Sequence, residues 1–92
     1  MIRSFRDKET EKIFRREFSR KLQSIAHTAK RKLDQIHAAA ALSDLGAIMG
    51  NHLEALAGDR LGQYSIRVND QWRICFRWVD PDALNVEIVD YH

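Results

Sequence analysis

The sequence closes on three side chains that can bind or move protons, Asp90, Tyr91 and His92. Cleaving RNA through its own 2′-hydroxyl needs a base for that hydroxyl, a cation or donor for the charged phosphorane, and an acid for the leaving 5′-oxygen. A histidine titrates near neutrality and serves as base or acid. An aspartate orients it or takes the proton itself. A tyrosine adds a hydroxyl and a ring on which a base can stack. An arginine such as Arg73 stabilises the developing charge, so the set asks for no metal. The plain alternative is a polar, frayed tail.

A second cluster comes from strand pairing. Tyr64, Ile66 and Val68 alternate with Ser65 and Arg67, and Trp72, Ile74, Phe76 and Trp78 alternate with Arg73, Cys75 and Arg77. Period two is the mark of a half-buried strand. Asn69-Asp70-Gln71 between the two runs is turn-prone and predicts a hairpin. With Val68 opposite Trp72, Ile66 faces Ile74 and Tyr64 faces Phe76. On the reverse face Arg67 then stands opposite Arg73, an unfavourable pairing of like charges that invites an anion such as phosphate. Glu87 or an aspartate could instead neutralise the pair within the fold.

Other chemistries find little support. The sequence contains no P-loop, HExxH motif, nucleophile elbow or paired CxxC motif. His27, His37, His52 and His92 are not at metal-ligand spacing, and the first three read as structural. Cys75 is the single cysteine, so a disulfide framework within the chain is excluded and a reducing cytoplasm is expected. It reads as a small residue on the second face of the sheet, with nothing beside it to activate a thiolate. No signal-peptide core and no apolar run of membrane-spanning length is present.

The formal net charge of +2 conceals an asymmetry. Residues 1–37 carry eleven Lys/Arg and five acids, whereas residues 38–92 carry four Arg and eight acids. A basic half can meet RNA or an acidic partner, or simply form a solvated helical face.

The elements that must position these groups read as helices first and strands second. Phe14, Phe18, Leu22, Ile25, Ala29, Leu33 and Ile36 form a helical stripe. It predicts two helices, from Asp7 or Lys8 to about Arg16 and from about Lys21 to Ala38. Ser43 is the expected cap of a short turn to Ala47. A short strand over His52–Ala57, a loop over Gly58–Gly62, the hairpin, and a last strand over Leu84–Val89 follow, with Ile2–Phe5 as a further edge. Ninety-two residues make one domain, 1–92. The expected fold class is α+β, with N-terminal helices on one face of a small antiparallel sheet. Trp72, Phe76, Trp78 and Tyr64 are expected in its core.

Several blocks resemble the HigB branch of the RelE/ParE toxins: Met1-Ile2-Arg3-Ser4-Phe5, the stretch Leu53 to Arg60 with its Gly58-Asp59-Arg60, Gly62 to Phe76 with Trp72-Arg73-Ile74-Cys75-Phe76, and Val86 to His92. The resemblance covers essentially the whole chain and implies a RelE-like fold. It also implies a metal-independent, cofactor-free endoribonuclease that cuts messenger RNA in the ribosomal A site. A cognate helix-turn-helix antitoxin, HigA-like, would hold it silent, and DNA would be met only through that antitoxin. The family's phosphate-contacting arginine falls on Arg73, and its terminal acid, tyrosine and histidine on Asp90, Tyr91 and His92. Arg60 lies where the family lines its RNA groove, and Arg67 is a second candidate RNA contact. Some members carry a lysine where this chain has Ala57, which implies a slower enzyme or compensation by Arg60 or Arg67. Two other functions compete: a non-enzymatic ParE-like toxin that binds a topoisomerase, and a plain nucleic-acid-binding module.

Overall fold

The computed structural model describes residues 1–91. Helix α1 spans Lys8–Phe14, α2 Ala26–Ala38 and α3 Leu42–Gly46. Strands β1 (Glu54–Ala55), β2 (Gln63–Arg67), β3 (Trp72–Val79) and β4 (Asp82–Asp90) form one antiparallel sheet in that order. Helix α1 begins where the Asp7 carboxylate accepts the Thr10 backbone N–H at 2.7 Å, a side-chain cap of the usual kind. Helix α3 starts at Leu42, and Ser43 lies inside it rather than capping it. Asp44 takes the capping role, accepting the backbone N–H groups of Ala40 and Ala41.

The second helix is shorter than the periodicity predicts. A 3₁₀ turn, Gln23–Ile25, leads into α2, and the segment after α1 leaves the helical path where Arg16 adopts φ +61°. Ser19 restarts the chain: its hydroxyl donates to Glu9 at 2.7 Å and accepts the Leu22 N–H. Phe18, on this detour, is 71% exposed and is not part of the stripe. Of the other stripe residues, Leu22, Ile25, Ala29, Leu33 and Ile36 enter the core, while Phe14 is partly buried against it and its neighbour Ile13 takes the core position. They pack with Leu45 and, from the sheet, with Ile66, Val68, Ile74, Phe76, Val86 and Ile88. Tyr64, Trp72 and Trp78 are partly buried against this cluster, and Phe76 is fully buried.

The β2–β3 register is the one the alternation predicts: Tyr64 pairs with Phe76, Ile66 with Ile74, and Arg67 with Arg73. The helices therefore cover the Ile66/Ile74/Ile88 face, and Ser65, Arg67, Arg73, Cys75 and Glu87 lie on the other. A bulge in β4 opposite Cys75–Arg77 accommodates Asn85 at φ +54°. Ile2 and Phe5 bridge Ala83 and Val86 in parallel, so the N-terminus supplies the expected edge. β1 keeps only two residues of the expected strand, and the loop after it tightens into a 3₁₀ turn, Gly58–Arg60. β4 begins two residues earlier than expected because Asp82 and Ala83 pair with Val79 and Trp78. No helix among the described residues is long and apolar enough to cross a membrane.

Candidate active site on the second face of the sheet

Arg73 projects from the hairpin end of β3, as its second residue, and is only 9% exposed. Its Nε donates to Ser65 Oγ at 2.8 Å. One terminal nitrogen, Nη2, donates to the His52 carbonyl at 2.6 Å and to the Ser65 carbonyl at 3.3 Å. The other terminal nitrogen stays out of these bonds. Among the described residues no carboxylate pairs with Arg73. A nearly buried cation held by neutral oxygens keeps most of its charge for an incoming anion, since a desolvated guanidinium without a counter-ion is costly.

The two arginines of the facing pair resolve differently. Arg67 ion-pairs with Asp70 in the hairpin turn. Glu87 is committed elsewhere: Oε1 accepts from Arg60 at 3.1 Å and Oε2 lies 3.7 Å from Arg6. The fold thus neutralises Arg67 with an aspartate and leaves Arg73 to carbonyls and a hydroxyl.

Near the C-terminus, Tyr91 reaches this arginine. β4 carries Asp90 opposite Trp72. Tyr91 N–H donates to the Gln71 carbonyl at 2.7 Å, and Gln71 Nε2 donates to Asp90 Oδ2 at 3.1 Å. The hairpin turn therefore holds the tail in place. The Tyr91 ring, 42% exposed, lies 5.9 Å from the Arg73 guanidinium carbon, within cation–π range. Arg60, Val89, Asp90 and Tyr91 line a pocket of about 270 Å³. Arg60 is placed by its 3₁₀ turn and by a hydrogen bond to Gln63. Burial works against its charge, but the hydrogen bond to Glu87 and the field of Cys75, Glu87 and Tyr91 raise its affinity for the proton. It is a permanent cation at the pocket wall.

Of the residues singled out from the sequence, Arg73, Arg60, Asp90 and Tyr91 come together. Arg67 stands beside them at the hairpin end, and His92 lies outside the described residues. Ala57 is exposed, directly before the turn that carries Arg60. Burial pushes the Cys75 thiol up, with Glu87 adding to the effect against Arg60 and Arg73, so it stays a protonated core thiol. His37 is structural: its Nδ1 accepts the Ile2 backbone N–H and its ring packs on Phe14. Among the described residues no group of three His, Cys, Asp or Glu side chains is placed to hold a metal ion.

Three contributors escape a reading of residue types. Ser65 was within reach, because the predicted register sets it beside Arg73 on the same face. Gln71 doubles as hairpin residue and tail anchor, and the His52 carbonyl acts through the backbone. Neither carries a compositional signal.

Comparison with known proteins identifies the family and the fold. The family model described as the RelE-like toxin of type II toxin-antitoxin system HigB matches residues 3–92. Toxin HigB-1 of Vibrio cholerae is 42% identical over 87 residues, covering 92% of each chain. Endoribonuclease HigB of Proteus vulgaris is 31% identical over 94 residues and covers both chains completely. The solved YoeB-YefM complex from Staphylococcus aureus contains a chain with the same fold, at a TM-score of 0.56 and 16% identity, covering 100% of this chain and 98% of that one. The chain therefore belongs to the HigB-like family, the RelE-like toxins of type II toxin-antitoxin systems.

Proposed function

We propose that the chain is a toxin that arrests translation as a ribosome-dependent messenger-RNA endoribonuclease. The observation that carries this reading is the desolvated Arg73 guanidinium, without a carboxylate partner among the described residues and with Tyr91 at its face. Arg73 would hold a non-bridging oxygen of the scissile phosphate. Asp90 and His92 share the proton transfers. One takes the 2′-hydroxyl proton as the 2′-oxygen bonds to phosphorus, and the other gives a proton to the 5′-oxygen as its bond to phosphorus breaks. The products are a 2′,3′-cyclic phosphate and a free 5′-hydroxyl, and no metal or cofactor takes part. Tyr91 offers its ring to a base, while Arg60 and Arg67 guide the RNA backbone. Arg60 or Arg67 would compensate for the lysine that the family resemblance implies at the position of Ala57.

The basic helices would bind ribosomal RNA through phosphate contacts that weaken with salt. Type II toxins are paired with an antitoxin, and a HigA-like helix-turn-helix protein in the same cytoplasm is the proposed partner, with DNA contacted only through it. The relative called an endoribonuclease favours cleavage over binding of a topoisomerase. The deciding experiment compares wild type, Arg73→Ala and His92→Gln on translating ribosomes, with primer extension to locate cuts. Cleavage by wild type and loss in both variants is expected. Full toxicity of both variants would falsify the nuclease reading.

A further inference from the structure

A polar cluster is buried between α2 and the loop that enters β1. Lys32, 7% exposed, donates from Nζ to Asn51 Oδ1 at 2.5 Å. Asn51 is fully buried. Its Nδ2 donates to Gln35 Oε1 and to the Leu45 carbonyl, each at 3.1 Å. Its carbonyl accepts the Arg67 N–H at 2.7 Å, and its own N–H donates to the Ile48 carbonyl at 3.2 Å. Asn51 therefore ties α2 and α3 through its side-chain amide and β2 through its backbone carbonyl, and the amide cannot turn without stranding polar groups in the interior.

The next residue is His52, held at φ +45°, in the left-handed region that L residues seldom occupy unaided. Its carbonyl accepts the shortest hydrogen bond the Arg73 guanidinium makes, at 2.6 Å. One peptide unit thus separates the anchored amide from the oxygen that aims Arg73. Lys32 itself has no carboxylate partner among the described residues, and burial with Arg31 and Arg67 nearby lowers its hold on its proton. A methionine would fill the same space without that penalty, but also without the bond to Asn51.

We infer that Lys32 and Asn51 are positioning residues for Arg73: by pinning the Asn51–His52 backbone they aim the His52 carbonyl and fix the guanidinium at the candidate site. Neither forms a hydrogen bond with Arg73. The consequence for cleavage depends on the nuclease activity proposed above; the consequence for Arg73 does not.

The test is Lys32→Met in the full chain, read in two ways. Nitrogen-15 NMR follows the Arg73 side-chain N–H resonances, with the Ile74 and Ile88 backbone amides as controls for the core. Arg73 hydrogens exchanging about tenfold faster, with unchanged core protection, are expected. Cleavage on ribosomes should lose about tenfold in kcat with KM within about twofold, the pattern of a lost transition-state contact. Lys32→Arg, which keeps the donors, should recover part of both. If Lys32→Met does not fold, Gln35→Leu removes a single partner of Asn51 and reports on the same resonances. A folded variant whose Arg73 resonances are unmoved overturns the inference, as does a drop in kcat without such movement. Movement of Arg73 in a protein that cuts no RNA would leave the positioning intact and sink only the nuclease reading.

Discussion

Arg67 and Arg73 are cross-strand partners on one face of the sheet, yet among the described residues only Arg67 has its charge matched by a carboxylate, that of Asp70. Arg73 is nearly buried and is held by Ser65 and the His52 carbonyl. Two like charges placed opposite each other destabilise a strand pair, and the fold relieves this by neutralising Arg67 with the aspartate of the turn. The remaining charge sits where the Tyr91 ring reaches it.

This asymmetry sets different expectations for the two arginines. Arg73→Ala should lower kcat by about 10²–10³-fold, the cost of losing one donor to a developing negative charge. Arg67→Ala should chiefly raise KM, by a few-fold, and reduce the slope of log affinity against log salt by about one. Steady-state cleavage at several salt concentrations separates them. Equal losses in kcat would show that the two guanidinium groups act alike.

Arg60 and Glu87 make the next prediction. Their ion pair, at 3.1 Å, offsets a cation that lines the Asp90–Tyr91 pocket. Glu87→Gln keeps the shape and removes the negative charge, so RNA should bind a few-fold tighter at low salt, with a steeper salt dependence. Arg60→Ala leaves Glu87 near the phosphate path and should weaken binding. Fluorescence anisotropy with a short RNA checks both signs; tighter binding by Arg60→Ala would contradict the placement.

The hairpin was legible because its signal is local. Tyr64, Ile66 and Val68 against Trp72, Ile74 and Phe76 allow one register across a short turn, and Arg67 opposite Arg73 follows from it. The path between α1 and α2 was not legible. No Pro or Gly marks it, and the break rests on the Ser19–Glu9 hydrogen bond across ten residues and on the backbone of Arg16. Phe18 fits the helical period and is thrown outward by that break. At the site, residue type and resemblance together pointed to Arg73, Asp90 and Tyr91. The oxygen that aims Arg73 belongs to the backbone of His52, whose side chain says nothing of it.

Two stripe residues should accordingly differ in their weight on stability. Leu33 is fully buried, and Leu33→Ala should cost about 2–5 kcal/mol through lost burial and a residual cavity. Phe18→Ser, at a position 71% exposed, should change stability by no more than about 0.5 kcal/mol. Urea unfolding followed by tryptophan fluorescence measures both. A large loss from Phe18→Ser would mean that the aromatic ring packs in solution.

Lys32 makes a prediction about alkaline pH. Burial lowers its affinity for the proton below the ordinary lysine value of 10.5, with Arg31 and Arg67 adding to the effect. Between the folded value and 10.5 the unfolded chain binds more protons than the folded one, so stability rises with pH across that window. The penalty for the buried ammonium is present in full below the folded value and has gone above 10.5. Lys32→Met has no such group. Wild type should therefore gain stability relative to Lys32→Met as pH climbs toward 10.5, while the difference between them stays constant around neutrality. The remaining alkaline titrations are shared by both proteins and cancel in the comparison. Urea midpoints for the pair across that range provide the measurement, and a difference independent of pH would show that Lys32 carries its charge in a water-like environment.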